Sequence, residues 1–187
     1  MVLTATSQKW PVVFLCLFLG GRIMLDVAIR YENEVRDKFR STWFDERYKY
    51  YAYTNYYEDW KPEENTWLKH EFVSLREGKV IGYMSYAIAR ESDSVYGLGV
   101  INFEKEPSLM FAADLGTMLK DIFDKYCFRK LSFSVVVGNP IEKSYDKMCR
   151  KYGGRIVGTK KNHTRLIDGL FYDEKLYEIL REDYVKR

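Results

Sequence analysis

The chain has 187 residues, of which 47% are hydrophobic and 17% aromatic, and its 30 basic and 27 acidic residues leave a formal net charge of +3. This length and apolar content predict one packed domain over residues 25–187, and they exclude a chain that is disordered over most of its length. A charge so close to neutral favours neither a nucleic acid nor an anionic membrane as a partner.

The cysteines and histidines of the chain are few. Cys16, Cys127 and Cys149 form neither a CxxC pair nor an even set, which is typical of a protein from a reducing compartment. We therefore expect a cytoplasmic protein. His70 and His163 are the only histidines, so the sequence predicts no metal site, because zinc usually draws on clustered Cys and His ligands.

The first 24 residues are predicted to be an extra segment that precedes the domain. Trp10 to Gly20 is an apolar run that is too short to span a bilayer and is followed by no signal-peptide cleavage pattern. Either Met1 or Met24 fits as the native start. Met24 is a candidate because Gly20-Gly21-Arg22 is what a purine-rich ribosome-binding site would encode if it were translated.

A helix and then an aromatic stretch are predicted next. Apolar residues from Leu25 to Phe39 recur at helical spacing, which predicts an amphipathic helix. Residues 47–60, RYKYYAYTNYYEDW, interleave basic and aromatic side chains, a pattern that suits either base stacking or packing on a sheet. Glu58, Asp59 and Glu63 would repel phosphates, so packing is the preferred interpretation.

Three strands and a crossover helix are predicted in the middle of the chain. Leu68 to Leu75 and Val80 to Ala89 predict a hairpin around the turn Glu77-Gly78. Val95 to Phe103 predicts a third strand, whose two glycines indicate a bulge or a close backbone approach. Apolar residues from Phe111 to Phe123 then recur at helical spacing and predict a crossover helix.

Lys130 to Gly154 predicts a buried strand, a tight turn and a helix in immediate succession. The run Val135 to Val137 has no polar alternation, so both faces of this strand should be covered. Asn139, Ser144 and Tyr145 place an amide and two hydroxyls just beyond the strand end. Ligand sites of open α/β layers lie at such positions.

The end of the chain completes the predicted sheet. A strand is predicted near Arg155 to Lys161, followed by a polar connection and a final strand within Lys175 to Arg181. Strands that first meander and then cross over through a helix predict the α+β class. We expect one central, mixed and twisted sheet of about six to seven strands flanked by helices.

In this order, the segments resemble the GCN5-related N-acetyltransferases, the GNAT family. The similarity covers Glu71 to Tyr184 and rests on EFVSLREGKVIGYMSY, VYGLGVINF, the crossover helix, SVVVGNPIEKSYDKM and GRIVGTKKNHTRLIDGLFYDEKLYEIL. Asn139 with Tyr145 to Met148 resembles the family's N…YEKL segment. One branch of the family acetylates the N-termini of ribosomal proteins. Its C-terminal motif, xxDG…D…Y, is similar to Ile167-Asp168-Gly169, Asp173 and Tyr177.

The resemblance implies a GNAT-like single domain whose fourth and fifth strands, Val95 to Phe103 and Lys130 to Gly138, splay apart. Acetyl-CoA as co-substrate would lie in the gap, with its pantetheine arm imitating a missing strand. Tyr145 would protonate the leaving thiolate, Ser144 would be the substitute acid and Asn139 would position the cofactor. The other implied cofactor contacts are Val100, Ile101, Met110, Phe111, Ala112 and Ala113.

Two registers fit the helix that carries the acid. In the first, Tyr152-Gly153 is aligned with the GF pair of the family, and an alignment without gaps then places Cys149 at the position where the family has its tyrosine. Matching Tyr145 to Met148 with YEKL requires one extra helical turn, but it also keeps Asn139 in place. The second register is preferred for that reason.

Two departures from the family pattern bear on activity. The loop from Glu104 to Ala113 contains no glycine, whereas the family cradles the pyrophosphate on a glycine-rich RxxGxG/A loop. The fourth strand also lacks the family's usual carboxylate. His70, Glu71 and Glu104 are therefore the candidates for the base that deprotonates the amine.

These features predict an N-acetyltransferase that moves acetyl from acetyl-CoA to a primary amine by direct attack. Its partners would be acetyl-CoA and an amine-bearing small molecule or protein, with no nucleic acid and no membrane, and it would be a monomer or homodimer. The alternative is a catalytically inactive GNAT-fold interaction module that has lost the pyrophosphate loop. The acceptor is not specified by any motif in the sequence.

Overall fold

The structure is a computed structural model that describes residues 25–51 and 60–185. The segment predicted over residues 1–24 and the middle of the aromatic stretch, residues 52–59, lie outside the described residues. The strands are β1 Leu25–Val27, β2 Lys69–Arg76, β3 Lys79–Ala89, β4 Ser94–Asn102, β5 Lys130–Val136, β6 Arg155–Arg165 and β7 Phe171–Leu180. They form one mixed sheet in the order β1-β2-β3-β4-β5-β7-β6, which confirms the predicted α+β class.

Helices flank the sheet, and the crossover helix and the helix after Pro140 are both confirmed. They are α1 Glu32–Thr42, α2 Leu109–Lys120, α3 Glu142–Lys151 and α4 Arg181–Val185. A wider helical turn over Asp121–Lys125 extends α2 toward β5. In the described part of the chain, no helix is long and apolar enough to cross a membrane.

The hairpin between β2 and β3 forms at the predicted turn. Glu77 and Gly78 both have positive φ, at 52° and 77°, as a two-residue type I′ turn requires. Arg76 and Lys79 pair directly across it. Because the turn sets the strand register, it also determines which side chains of β2 point to each face of the sheet.

The first helix begins later than predicted. Leu25–Val27 is an edge strand that pairs antiparallel with residues 72–74 of β2, and a 3₁₀ turn over Ala28–Tyr31 leads into α1. The prediction of a helix from Leu25 is therefore wrong for these residues. Apolar spacing over so few positions fits a strand as well as a helix, and the open edge of β2 decides for the strand.

Two groups of buried side chains join the layers. The smaller lies under α1 and includes Val35 and Tyr83. The larger connects α2 and α3 to the sheet and includes Met118 and Val135. Val135 and Val136 are each 5% exposed, so side chains on both faces of β5 are covered, as the missing polar alternation predicts.

A carboxylic acid lies inside the larger group. Asp114 of α2 is fully buried and accepts a hydrogen bond from the Ser74 hydroxyl. Its Oδ1 has no hydrogen-bond partner among the described residues. Burial raises the pKa of Asp114 above its ordinary value, because the ionised form is poorly solvated there.

Replacing Asp114 with asparagine is expected to flatten the pH dependence of stability. In the wild type, the unfolded chain ionises Asp114 at a lower pH than the folded protein does, so the free energy of unfolding falls as the pH rises above about 4. Urea denaturation between about pH 4 and pH 8 measures this slope. Asp37→Asn is the control, because its side chain is 76% exposed; equal slopes for wild type and Asp114→Asn would contradict the prediction.

Candidate active site

The strands β4 and β5 pair only at their beginning. Ser94 pairs with Lys130 and Val95 pairs with Leu131, and the parallel ladder goes no further. Beyond these pairs the two strands diverge. The predicted splay of the fourth and fifth strands is thereby confirmed.

A β-bulge in β4 lies where the divergence begins. Ser85 pairs with Gly99, but Ala87 pairs with Tyr96, so β4 has one more residue than β3 between these pairs. Gly97 has a φ of 64°, a conformation that glycine adopts without strain at the first position of such a bulge. The bulge predicted from the glycines is confirmed, and the bend it introduces directs β4 away from β5.

The gap opens into a cavity of about 370 Å³. Residues 97–101 of β4 line one side and residues 134–136 of β5 line the other. The Phe103 N–H bonds to the Ile81 carbonyl, and bonded residues alternate along an antiparallel ladder, so Ile101 bonds to β3. The backbone groups of Val100 face the gap instead and are available to an extended ligand. Aromatic side chains wall the remaining side, namely Phe39, Tyr50, Tyr51, Trp60 and Tyr83.

Tyr145 lines this cavity from the first turn of α3. Its ring packs edge-on against Phe133 and Tyr177, with centroids 5.4 and 6.4 Å away. The residue is 5% exposed, and this burial raises the pKa of Tyr145 well above its ordinary value. The phenol therefore remains protonated at neutral pH and is available as a proton donor.

Asn139 also lines the cavity and is 7% exposed. Its side-chain Oδ1 accepts a hydrogen bond from the backbone N–H of Ile141 at 3.1 Å. The backbone N–H of Asn139 donates to the carbonyl oxygen of Val136, also at 3.1 Å. These bonds turn the chain from β5 into α3, so Asn139 helps to bring Tyr145 to the cavity. The amide nitrogen is the part of its side chain that is left for contact with a ligand.

Two other residues predicted for this helix do not reach the cavity. Ser144 is exposed and is not among the residues that line it, so its position gives no support to its predicted role as substitute acid. Cys149 is 2% exposed within the larger core group, where burial raises the pKa of its thiol. The structure places Tyr145 beside the gap and Cys149 in the core, in agreement with the YEKL register.

The N-terminus of α2 borders a second recess of about 460 Å³. Ser108 caps the helix. Its Oγ accepts a hydrogen bond from the N–H of Phe111 at 3.2 Å, and its carbonyl oxygen accepts one from the N–H of Ala112 at 3.0 Å. The amides of Phe111 and Ala112, two of the predicted cofactor contacts, are therefore already bonded. Met110 lines the recess, and its N–H lies in the first helical turn, where no intrahelical acceptor exists. Ala113 follows in the next turn and does not line the recess.

Charged side chains flank the same recess. Glu104, one of the predicted bases, forms an ion pair with Arg76 and borders this recess, not the main cavity. Its negative charge is therefore compensated close to the start of α2. Lys105 and Glu106 are exposed beside it.

The other two predicted bases do not line the main cavity. His70 has its Nδ1 2.7 Å from the Tyr86 hydroxyl, and desolvation lowers the pKa of His70. Glu71 is 1% exposed and accepts hydrogen bonds from the Tyr83 hydroxyl at 2.5 Å and from Lys69 Nζ at 2.6 Å. Neither residue presents an unbonded acceptor to the cavity.

The described part of the aromatic stretch packs on the sheet. Arg47 is bound to Asp45 at 2.5 Å, Tyr48 is 7% exposed, and Tyr50 and Tyr51 line the cavity. This agrees with the packing interpretation and not with base stacking.

Sequence reasoning does not identify several lining residues. They are Phe39, Lys69, Tyr83, Ser85 and Ser134. For Ser134 a signal exists, because Ser132 and Ser134 alternate with large apolar residues in a strand that is otherwise buried. A hydroxyl at such a position needs a polar partner or a ligand.

No protein-family model and no curated protein matches the sequence, but solved structures do. A T. thermophilus protein considered to be an acetyltransferase is 22% identical with a TM-score of 0.51, over 63% of this chain and 62% of that one. The match therefore spans less than two thirds of that protein. A GNAT-family protein from Chromobacterium violaceum, described as a probable acetyltransferase, is 13% identical with a TM-score of 0.64, over 87% of this chain and 88% of that one. The spermidine/spermine N-acetyltransferase SpeG from Vibrio cholerae is 23% identical with a TM-score of 0.56, over 66% of this chain and 71% of that one.

The chain has the fold of the GNAT acetyltransferases. The family resemblance carried by the order of the sequence segments is thereby confirmed at the level of the fold. The similarity of its end to the ribosomal-protein branch stays a prediction. Within the GNAT fold, the splayed strands, the bulge and Tyr145 all meet at the main cavity.

Proposed function

We propose that the protein is a cytoplasmic N-acetyltransferase that moves the acetyl group of acetyl-CoA to a primary amine. The observation that carries the proposal is the cavity between splayed strands of a GNAT fold, with the Tyr145 phenol in its wall. A protonated phenol beside this gap provides what a departing thiolate needs. A reducing compartment agrees with the exposed Cys127 and the buried Cys149, neither of which is in a disulfide.

The residues around the gap fit acetyl-CoA as co-substrate. The edge of β4 at Val100 would hold the extended pantetheine arm through backbone hydrogen bonds, and Ile101, which also lines the cavity, would contact the arm without them. The amide of Met110 and the ammonium of Lys105 would hold the pyrophosphate at the start of α2. Bound in this way, the co-substrate supplies a thioester whose carbonyl carbon the amine attacks.

Two proton transfers fall to the protein's own residues. The acceptor amine must lose a proton, because an alkylamine with an ordinary pKa of about 10.4 is almost wholly protonated at neutral pH and has no free lone pair. The sulfur must gain a proton as the C–S bond breaks, and the Tyr145 hydroxyl donates it. Cys149 lies in the core and is not available as a nucleophile, so we infer direct attack without a covalent enzyme intermediate.

The wall of the cavity favours an amine on an apolar body. The rings of Phe39, Trp60 and Tyr83 have centroids 4.5, 5.1 and 5.2 Å apart. An acceptor screen should therefore contain an arylalkylamine such as phenethylamine. It should also contain a polyamine, because SpeG is a spermidine/spermine N-acetyltransferase, and a peptide N-terminus, because Ile167-Asp168-Gly169 resembles the branch that acts on ribosomal proteins.

Calorimetric titration with acetyl-CoA, and separately with CoA, tests the proposal. We expect micromolar dissociation constants, roughly −8 kcal/mol, and thiol release with at least one amine of the screen. Folded protein at high concentration that binds neither compound would overturn the proposal. That result would favour the alternative, an inactive interaction module with a GNAT fold. Two features of the start of α2 support this alternative: it contains no glycine, and the amides of Phe111 and Ala112 are already bonded to Ser108.

A further inference from the structure

We propose that Ser134, Glu174 and His163 form a proton relay, which takes the proton from the acceptor amine and releases it to solvent. The relay rests on the proposed function, because it serves acetyl transfer at the same cavity. It supplies the base for which His70, Glu71 and Glu104 are unsuitably placed.

The three side chains form a continuous polar path out of the cavity. Ser134 lines the cavity and its hydroxyl donates a hydrogen bond to Glu174 Oε1 at 2.7 Å. The other carboxylate oxygen, Oε2, lies 3.2 Å from His163 Nε2. Glu174 is 9% exposed, whereas the side chain of His163 is 48% exposed. The path therefore leads through a buried carboxylate to an imidazole that contacts solvent.

Strand pairing brings these residues together. Ser134 lies on β5 and Glu174 lies on its neighbour β7. Lys160 of β6 is the cross-strand partner of Glu174 on the other side, and the ladder is irregular from there to Thr164. Within this irregular stretch Asn162 has a φ of 47°, and the turn it makes brings His163 back to Glu174.

The relay and the proposed acid lie on opposite faces of β5. Phe133, whose ring contacts Tyr145, and Ser134 are consecutive residues of one strand. Their side chains therefore point to opposite faces of the sheet. An amine meets Ser134 on one face while Tyr145 meets the sulfur on the other, which suits attack through the gap between the strands.

The charged groups around Glu174 leave the path open. Lys160 Nζ lies 3.7 Å from Glu174 Oε2 and 3.4 Å from His163 Nε2, so it holds the carboxylate without taking the oxygen that Ser134 uses. The titratable residues next to Glu174 on β7 are bonded elsewhere: Asp173 to Lys161, Tyr172 to Asp168, and Lys175 to Glu142 and Asp146.

A second polar path from the cavity is closed by its own bonds. The hydroxyl of Tyr83, which lines the cavity, lies 2.5 Å from Glu71 Oε1. Glu71 also accepts from Lys69 Nζ and from the N–H of Glu63, each at 2.6 Å. Three donors already occupy its oxygens, and at 1% exposure it has no contact with solvent to which a proton could pass.

The proton transfers balance at each step. The ammonium gives a proton to Ser134 Oγ as the hydroxyl passes its own proton to Glu174 Oε1, which leaves a neutral amine and a carboxylic acid. Rotation of the carboxyl group about its Cγ–Cδ bond brings the protonated oxygen to His163, where it protonates an unprotonated Nε2, and the imidazolium releases the proton to solvent. The three side chains end as they began, and the amine has lost one proton.

The test compares two amines that differ in charge but little in shape. Phenethylamine is protonated at neutral pH. Its analogue with two fluorines on the carbon next to the amine-bearing carbon is a much weaker base, because fluorine withdraws electrons. We expect Glu174→Gln to lower kcat about 100-fold with phenethylamine at neutral pH, to change it little with the difluoro analogue, and to regain activity with phenethylamine as the pH rises. Ser134→Ala should behave in the same way.

Glu178→Gln is the matched control. Glu178 lies on the same face of β7, hydrogen-bonds Arg155 at 2.7 Å and does not line the cavity, so kcat should change with neither amine. Equal losses with both amines in Glu174→Gln, or no recovery at high pH, would indicate a merely structural role and overturn the relay. Wild-type protein that binds acetyl-CoA by calorimetry but releases thiol with no amine of the screen would overturn the proposed function, and the relay with it.

Discussion

Replacing Tyr145 with phenylalanine is expected to lower kcat for acetyl transfer about 100-fold and to leave the affinity for acetyl-CoA unchanged. The substitution removes the hydroxyl that protonates the thiolate but keeps the ring that packs against Phe133 and Tyr177. Thiol release measures kcat, and calorimetry measures binding. Because burial raises the pKa of Tyr145, the wild-type rate should show no loss of this acid up to about pH 9.

Tyr177→Phe separates the loss of a proton donor from the loss of a buried hydroxyl. Tyr177 is 1% exposed, and its hydroxyl donates to Asp146 Oδ1 at 2.8 Å outside the cavity lining. This control should lose about 1 kcal/mol of stability and keep its kcat. Wild-type kcat in Tyr145→Phe would mean that the thiolate takes its proton from another group, and weaker acetyl-CoA binding would mean that the hydroxyl acts in binding.

Gly154→Ala is expected to destabilise the folded protein by about 3 kcal/mol. A Cβ at this position would lie 2.6 Å from the carbonyl oxygen of Glu178, 2.6 Å from Ile179 Cγ1 and 2.8 Å from Cys149 Sγ. The first of these atoms is backbone of β7 and the others are in the core, so either α3 or β7 must move. Since α3 carries Tyr145, acetyl transfer should also fall.

Gly158→Ala is the control for that substitution. Gly158 lies in β6 a few residues further on, where an added Cβ would meet no atom within 4 Å. Its free energy of unfolding should stay within about 0.5 kcal/mol of the wild-type value. Urea denaturation compares the three proteins. Similar stability of the two variants would show that α3 can move off β7 at little cost.

Most elements of the fold are predictable because their signals are local. The turn at Glu77-Gly78 specifies the first hairpin, and the apolar run around Val135 indicates a strand that is covered on both faces. Leu25 shows where this reasoning fails. Its spacing fits a helix, but the edge of β2, more than forty residues away in the chain, pairs with it as a strand.

The site is less predictable than the fold. Family resemblance identifies Tyr145, Asn139, Val100 and Ile101, and the structure places all four on the main cavity. For the cofactor loop, the resemblance predicts that the backbone amides of Met110 to Ala113 bind the cofactor. Two of these amides, those of Phe111 and Ala112, are bonded to Ser108 instead. Capping depends on the local backbone path, and an alignment of motifs does not describe that path.

The order and type of the elements, the bulge in β4 and the GNAT-like sequence of segments follow from near neighbours in the chain, since periodicity and turn chemistry act over a few residues. Which residues line the cavity and bond to one another there cannot be predicted from near neighbours in the chain. Ser134 meets Glu174 across 40 positions, and Glu174 meets His163 only because β6 is irregular there. Such contacts depend on strand register and curvature, which arise when the whole sheet assembles and which no local pattern specifies.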